Sequence, residues 1–516
     1  MTCVKSRRRE SGILLHPTSL PGPYGIGDLG PDSYRWIEWL ASSGGTLWQI
    51  LPLGPTGFGD SPYQCFSAFA GNPFLISPAL LLEDDLLREH ELPPLADTPQ
   101  DRVDFGSVID VKQGVLHLAT QRFRSHAPHA LLAQYEEFCS AQKDWLTDYA
   151  LFMALKQAHA GAPWVAWEAD LARREETALR RARKQLSQEV EDQRIQQFLF
   201  LRQWSELQSR AHERGLRLIG DIPIFVAHDS ADVWSHPELF FLDDTGNPTK
   251  VAGVPPDYFS PLGQRWGNPL YRWEVLRADG FSWWVKRFLK TLTMVDLVRL
   301  DHFRGFVGYW EVPADAPTAE SGRWVSGPGA ELLQTLEIAA GGLPIIAEDL
   351  GLIDPDVVAL RDLFGLPGMK ILQFGFEGGP EHEFVPHNHG HRFAVYTGTH
   401  DNDTAHGWFE RAAQPVRDFC RRYLSVDGHD IAWDLIRCAW ASVAEIAIAP
   451  MQDVLSLGGE ARMNFPSRAE GNWTWRVLPE QLSDGQAARL LELNTIYGRR
   501  RTESEASDAE PSAQGG

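Results

Sequence analysis

The chain has few cysteines for its length and lacks a long hydrophobic run. Its 516 residues include five cysteines, an odd number, with no Cys-x-x-Cys pair and no spacing typical of a zinc site. We therefore expect free thiols in a reducing compartment. The absence of a run of about 18 apolar residues predicts that no helix spans a membrane. Only Ile13, Leu14 and Leu15 follow the basic N-terminus, too few for a secretion signal, so we expect a cytoplasmic protein.

Basic residues are scarce relative to acidic ones. The chain carries 48 Lys and Arg against 69 Asp and Glu, a formal net charge of −21. Because such a surface repels nucleic acid and anionic membranes, we expect neither as a partner and anticipate neutral or cationic ones. Aromatic residues are plentiful, with 19 Trp and 26 Phe, and most of them indicate core packing. Trp and Tyr also stack on sugar rings, which favours a carbohydrate groove.

Short apolar segments alternate with helical patterns along most of the chain. Eight segments have strand-like composition, at residues 12–16, 46–53, 217–222, 294–300, 343–347, 370–376, 392–396 and within 447–455. Strands that alternate with helices are typical of a parallel sheet, and eight such units predict an α/β fold, a (β/α)8 TIM barrel. The chain greatly exceeds the ~250 residues of an ordinary barrel of this kind, which predicts large insertions between strands.

The insertions divide the chain into four predicted regions. Residues 1–55 begin the barrel, and residues 56–208 form an inserted loop followed by a mostly helical subdomain. Residues 209–501 complete the barrel and include a second inserted region at 225–273. Residues 502–516 are acidic, rich in Ser and Gly and nearly free of aliphatic residues, which predicts a disordered tail.

Acidic residues cluster directly after the predicted strands. The stretch 297–305, LVRLDHFRG, places Arg299 and Asp301 two residues apart, so both side chains leave a strand on the same side. Active sites of such barrels lie at the C-terminal ends of the strands, where the polar residues of several strands meet. The other strand ends carry His16 after the first strand, Asp221 after the third, Glu348 after the fifth, and His400 and Asp401 after the seventh.

The mouth of the predicted barrel, where the C-terminal ends of the strands meet, contains carboxylates and histidines but no cysteine. This combination is compatible with two kinds of chemistry. One is a metal site, although the only His-rich run, residues 386–391, precedes the seventh strand. The other is glycoside chemistry, which needs one ionised carboxylate as nucleophile and one protonated carboxylic acid. Asp301 suits the first role because Arg299 stands beside it. Glu348 suits the second, since burial and the neighbouring Asp349 would raise its pKa.

Several motifs, taken in order, resemble those of one family, the 4-α-glucanotransferases of glycoside hydrolase family 77, also called amylomaltases or disproportionating enzymes, which are related to the α-amylase superfamily. The resemblance covers roughly residues 12–476. The matching stretches are 51–57 (LPLGPTG), 60–73 (DSPYQCFSAFAGNP), 220–234 (GDIPIFVAHDSADVW), 255–271 (PPDYFSPLGQRWGNPLY), 299–305 (RLDHFRG), 347–351 (AEDLG) and 397–404 (TGTHDNDT).

The resemblance implies a role for individual residues. The catalytic ones are Asp301 as nucleophile, Glu348 as general acid and base, and Asp401 as the residue that binds two hydroxyls of the donor-side sugar. The implied substrate-binding residues are Tyr63 below that sugar, Asp221 and His400 hydrogen-bonded to it, Arg299 orienting the nucleophile, Trp266 on the acceptor side, and Asn464 near the donor site. No ligand set argues for a metal or another cofactor, so none is expected.

The implied activity moves α-1,4-glucan segments from a maltooligosaccharide or starch chain to the 4-hydroxyl of an acceptor glucan or glucose. The expected partners are therefore α-1,4-glucans, maltooligosaccharides and glucose. A retaining mechanism through a covalent glucosyl-enzyme needs two carboxyls about 5–5.5 Å apart, which strands four and five can supply. Two alternatives stay open: an amylase-like hydrolase, and a catalytically silent barrel that binds glucan or acts as a scaffold. The intact carboxylates argue against the silent barrel.

Overall fold

The computed structural model describes residues 9–92, 99–256, 260–351, 353–466, 468 and 470–500. The acidic tail predicted at 502–516 lies outside these residues. The strands of the described chain are β1 (Glu10–Leu14), β2 (Leu47–Gln49), β3 (Arg217–Ile222), β4 (Lys250–Val254), β5 (Gln264–Pro269), β6 (Leu297–Leu300), β7 (Gly308–Pro313), β8 (Arg323–Ser326), β9 (Ile345–Ala347), β10 (Gly368–Ile371), β11 (Phe393–Tyr396) and β12 (Ile446–Pro450).

The helices surround these strands and fill the insertions. They are α1 (Pro31–Ser42), α2 (Pro78–Glu83), α3 (Phe105–His126), α4 (His129–Ala141), α5 (Lys143–Ala158), α6 (Ala169–Ala172), α7 (Glu176–Gln185), α8 (Ser187–Glu213), α9 (Ala231–Ser235), α10 (Trp273–Ala278), α11 (Ser282–Leu292), α12 (Gly329–Ala340), α13 (Pro355–Leu363), α14 (Leu372–Gly378), α15 (Ala405–Arg411), α16 (Gln414–Leu424), α17 (Ile431–Ala441), α18 (Met451–Val454) and α19 (Asp484–Ile496). None of them, within the described residues, is long and apolar enough to cross a membrane.

Eight of the described strands form one parallel sheet that closes into a barrel. Their order is β10–β11–β12–β1–β2–β3–β6–β9. The N–H of Ala347, the last residue of β9, donates to the C=O of Pro367 at 2.8 Å, directly before β10, and this bond closes the sheet. Strands such as β9 (IIA) and β12 (IAIAP) are fully buried, as expected where helices cover a parallel sheet. The predicted (β/α)8 barrel is confirmed.

The first insertion, between β2 and β3, holds helices α2 to α8. The 27-residue helix α8 packs against α3, α4 and α5 and then leads directly into β3. Its buried Gln197 accepts a hydrogen bond from the Gly71 N–H and donates to the Gly71 C=O, both at 2.8 Å. Two further bonds join Gln203 of the same helix to Ser77. The helical insertion therefore anchors the long loop that follows β2.

The second insertion is more ordered than the sequence indicates. Strands β4 and β5, within the region 225–273, form an antiparallel sheet of order β5–β4–β7–β8. Strands β7 and β8 come from beyond β6, so half of this sheet follows the fourth barrel strand in the chain. Sequence patterns indicate hairpins only when the two paired strands follow one another along the chain. The pairing of β4 with β7 joins distant segments, and the sequence interpretation missed the sheet for that reason.

The sixth predicted strand needs a correction. Residues 370–376 were predicted as extended, but β10 ends at Ile371 and helix α14 begins at Leu372. A short apolar run does not by itself distinguish a buried strand from a buried helix. In the helix, the Gln373 amide donates to the Asp403 C=O at 2.8 Å and so supports the loop after β11.

Candidate active site

Arg299 lies at the centre of the polar cluster at the C-terminal mouth of the barrel. Its Nη1 is 2.7 Å from Asp221 Oδ2, and its Nη2 is 2.7 Å from Asp301 Oδ1. The sheet register explains both contacts, since Asp221 is the partner of Arg299 across β3 and β6, and Asp301 follows two residues later. The side chains of Arg299 and Asp221 are 5% and 0% exposed, whereas that of Asp301 is 26% exposed. Asp301 is therefore the carboxylate of this trio that a ligand can reach.

Tyr63 extends this network on the side of β2. Its hydroxyl donates to Asp221 Oδ2 at 2.7 Å, and its ring stacks on His400 with centroids 5.2 Å apart and planes 20° apart. Burial raises the pKa of Asp221 to about 6, against the opposing charge of Arg299. Asp221 is therefore an anion at neutral pH. Together these contacts hold the Tyr63 ring as one wall of the mouth.

Glu348 stands at the end of β9 with both carboxyl oxygens held by backbone N–H groups. Oε2 accepts from the His302 N–H at 2.7 Å, and Oε1 accepts from the Leu350 N–H at 3.0 Å. Burial, followed by repulsion from Asp301, raises the pKa of Glu348 to about 8, although Arg299 opposes the shift. Glu348 is therefore mostly protonated at neutral pH, next to a carboxylate that is paired with Arg299.

Asp401 is the most exposed of the mouth carboxylates. Its Oδ2 lies 3.4 Å from His400 Nε2, and its Oδ1 accepts a hydrogen bond from the Asn464 amide at 2.6 Å. Desolvation in the cleft acts to raise the pKa of Asp401, but His400, the Asn464 amide and Arg299 together lower it well below its usual range. An anion at this position can accept hydrogen bonds from two ligand hydroxyls, since a carboxylate only accepts.

A buried carboxylate fixes the loop that carries His400 and Asp401. Asp453, which is 1% exposed, follows β12 and reaches both ends of this loop. Its Oδ2 accepts from the Thr397 hydroxyl at 2.5 Å, and its Oδ1 accepts from the Ala405 N–H at 2.7 Å. The loop is thus closed at its base.

The structure brings the predicted site residues together, one of them through a neighbouring residue. Eight of the nine belong to the contacts described above. Trp266, on β5, joins them through His302, whose ring meets the indole edge-on at 4.8 Å. Trp473, which the sequence interpretation missed, lies 5.8 Å from the Tyr63 ring and 5.9 Å from that of His400. Its only sequence signal is the short run GNWTW, which specifies no chemistry.

The arrangement pairs an accessible carboxylate with a protonated acid on the next strand of the barrel. Asp301 follows β6 and Glu348 follows β9, and these two strands are hydrogen-bonded neighbours in the sheet. Two such groups, one charged and one neutral, are what retaining glycoside chemistry requires. In the described parts of the chain, no group of three or more His, Cys, Asp or Glu side chains is placed to hold a metal ion.

The family model described as 4-alpha-glucanotransferase, glycoside hydrolase family 77, matches residues 15–481. The chain belongs to this family. It is 53% identical over 491 residues to the 4-alpha-glucanotransferase of Thermus thermophilus, which covers 93% of this chain and 97% of the relative. It is 51% identical over 497 residues to that of Synechocystis, which covers 96% and 98%.

A solved family structure has the same fold. The amylomaltase from Streptococcus agalactiae in complex with acarbose superposes with a TM-score of 0.93 at 39% identity, covering 96% of this chain and 100% of that one. The expected family, transferase class and 4-α-glucanotransferase activity are confirmed. The chain is a glucan-processing enzyme.

Proposed function

We propose that this 4-α-glucanotransferase works by double displacement, with Asp301 as nucleophile and Glu348 as acid and base. The main support is that the two carboxyl groups at the mouth differ in protonation. Asp301 lies 2.7 Å from Arg299 with a quarter of its side chain exposed, and the pKa of Glu348 is raised to about 8. A carboxylate held in this way is an available nucleophile, and a neutral carboxylic acid beside it is a proton donor.

In the first step Asp301 attacks the anomeric carbon of an α-1,4-linked donor. The glycosidic bond breaks, and Glu348 gives its proton to the departing oxygen, which becomes the 4-hydroxyl of the released chain. The product is a β-linked glycosyl ester of Asp301 and an ionised Glu348. Arg299 orients the nucleophile, and Asp401 accepts hydrogen bonds from two hydroxyls of the donor-side sugar.

In the second step an acceptor sugar reverses this chemistry. Glu348 takes the proton from the acceptor 4-hydroxyl, whose oxygen attacks the anomeric carbon; the bond from that carbon to the Asp301 oxygen breaks and releases the Asp301 carboxylate. Two inversions leave the new linkage in the α configuration. Tyr63, Asp221, His400 and Asn464 bind the donor-side sugar in this scheme. Trp266, which is half-buried, provides the stacking surface for the acceptor.

Transfer rather than hydrolysis requires that an acceptor reaches the ester before water does. Two insertions meet beside Tyr63: Gln64 of the loop after β2 donates to Asn268 Oδ1 of β5 at 3.4 Å. Asn268 is buried and donates in turn to the Val226 C=O at 2.9 Å. Insertions that pack together next to a cleft restrict access of water to an intermediate inside it. These contacts support glucan transfer over an amylase-like hydrolase.

The proposed substrates are α-1,4-glucans and maltooligosaccharides as donors, with glucan chains or glucose as acceptors. The complex of the Streptococcus agalactiae relative with acarbose supports an oligosaccharide as the ligand of this chain. The formal net charge of −21 suits neutral ligands of this kind, which carry no charge for the surface to repel.

The test uses maltotriose as the only sugar. Transfer converts two maltotriose molecules into glucose and maltopentaose, or maltose and maltotetraose, and leaves the number of reducing ends constant. Hydrolysis to glucose and maltose with no longer products, and a rising number of reducing ends, would contradict the proposal. Asp301→Asn and Glu348→Gln should each lose at least about a thousandfold in turnover, the scale on which removal of a triad member acts in other enzymes.

A matched control is Glu206→Gln. Glu206 lies on an exposed surface of α8, where its carboxylate pairs with Arg210 at 2.8 Å. The substitution makes the same chemical change as Glu348→Gln, and it should leave turnover within about twofold of the parent because surface ion pairs contribute little. If the chain were a catalytically silent barrel that only binds glucan, the unmodified protein would show no turnover of maltotriose.

A further inference from the structure

His302 has an unusual backbone conformation at the point where the nucleophile meets the acid. Its φ and ψ angles are 53° and 49°, in the left-handed region, directly after Asp301 and before the turn Phe303–Phe306. This region costs an L-residue roughly 1–2 kcal/mol. His is among the residues that adopt it more often, whereas β-branched residues rarely do. Strain of this kind persists where the surrounding structure requires it, often at functional sites.

The left-handed turn aims backbone donors at Glu348. The His302 N–H donates to Glu348 Oε2 at 2.7 Å, and the next N–H, of Phe303, donates to the Glu348 C=O at 3.0 Å. One turn therefore holds both the carboxyl and the backbone of the proposed acid. Only one other described hydrogen bond, from the Leu350 N–H, reaches that carboxyl. Loss of the His302 N–H would leave Glu348 Oε2 without its donor.

The ring of the same residue faces the acceptor side. It meets the Trp266 indole edge-on, with centroids 4.8 Å apart and planes at 81°. It also packs over Gly305, where an added Cβ would approach His302 Cδ2 to 3.0 Å. Its Nε2 is buried and lacks a hydrogen-bond partner among the described residues. Burial lowers the pKa of His302 to about 4, so the ring is neutral when the enzyme works. It supports Trp266 by contact rather than by charge.

We propose that His302 is a positioning residue with two separable parts: its left-handed backbone orients the carboxyl of Glu348, and its ring orients Trp266 for the acceptor. This inference rests on the proposed function, because it assigns Glu348 to proton transfer and Trp266 to acceptor binding. It differs from a purely structural turn in that the backbone affects proton transfer by Glu348, whereas the ring affects binding of the sugar at Trp266.

The test compares variants that lack the ring and differ in backbone preference. Asn and Gly tolerate the left-handed region, whereas Val does not. His302→Asn and His302→Gly should both raise the KM for a labelled glucose acceptor several-fold. Their kcat/KM for maltotriose should fall by no more than that factor, because the sugar that leaves maltotriose occupies the same site as the acceptor. His302→Val should in addition lose about 10- to 100-fold in kcat/KM for maltotriose, the scale of one hydrogen bond to a buried polar group.

A second donor distinguishes misplacement of the Glu348 carboxyl from a general loss of activity. α-Maltosyl fluoride releases fluoride, which needs less help from a general acid than a sugar oxygen does. His302→Val should therefore lose much less on the fluoride than on maltotriose. Equal losses on both donors would overturn the backbone part, and so would an Asn or Gly variant that loses maltotriose cleavage as severely as Val.

An unchanged acceptor KM in the Asn and Gly variants would overturn the ring part. If the Val variant does not fold, His302→Ala takes its place, because alanine lacks the ring and tolerates the left-handed region less well than Asn or Gly. Failure of this inference is distinct from failure of the proposed function, which is judged by whether the unmodified chain lengthens maltotriose.

Discussion

The raised pKa of Glu348 predicts where the enzyme loses activity as pH rises. The general acid must be protonated in the free enzyme, so kcat/KM should follow the protonated fraction of Glu348. With a pKa of about 8, about 90% of the molecules are protonated at pH 7 and about 9% at pH 9, a loss of roughly tenfold in kcat/KM. An ordinary glutamic acid would already be ionised near pH 5.

The assay measures initial rates of glucose release from maltotriose, well below KM, between pH 5 and 10 at constant ionic strength. Samples held at pH 9 and returned to pH 7 should recover full activity, which separates titration from unfolding. A rate that stays constant to pH 10, or one that falls with a midpoint below pH 6, would refute the assignment of Glu348 as the proton donor.

The two causes of the shift can be separated in a variant that needs no activity. Burial contributes most, and the Asp301 charge contributes next among the raising effects. Asp301→Asn removes that charge and keeps the shape, so the pKa of Glu348 should fall while staying above the usual glutamate value. Infrared titration of the carboxyl stretch, compared between the parent, Asp301→Asn and Glu348→Gln, measures this shift. An unchanged or raised value in Asp301→Asn would contradict the coupling.

Further predictions concern the contacts around these groups. Arg299→Lys should cost at least about a hundredfold in kcat/KM, because a lysine ammonium lacks the fork that bridges Asp221 and Asp301, and steady-state kinetics measure this loss. Tyr63→Phe removes the hydroxyl that binds Asp221 and should lower kcat/KM by about 10- to 100-fold. Asp453→Ala leaves two buried donors unsatisfied and should cost about 2–5 kcal/mol in urea unfolding. Asp453→Asn, which can still accept from one donor and donate to the Thr397 hydroxyl, should cost less.

The sequence predicts the barrel and its charged mouth because both depend on local patterns. Aliphatic segments specify buried parallel strands, and the C-terminal ends of such strands meet at one edge. Residues placed directly after strands, such as Asp301 and Glu348, therefore converge whatever the length of the insertions. Composition and spacing do not decide between a metal site and glycoside chemistry. The resemblance to a family is what assigns a role to each residue.

Contacts between distant segments are what the sequence does not predict. The left-handed backbone of His302 satisfies Glu348, 46 residues away, and no local pattern marks it. Asp453 binds residues 56 and 48 positions earlier in the chain, so its place in the site depends on the closed barrel. Helix α14 was mistaken for a strand because its apolar run is too short to show a period.

The central claim is that Asp301 forms a covalent bond to the transferred glucan. The most direct measurement incubates Glu348→Gln with a fluorinated maltosyl fluoride, digests the protein and locates the added mass by tandem mass spectrometry. The account predicts one maltosyl-derived group on the peptide that contains Asp301, and none when Asp301 is replaced by Asn. Label on a different carboxylate, or rapid processing of the donor by the Asp301→Asn variant, would contradict it.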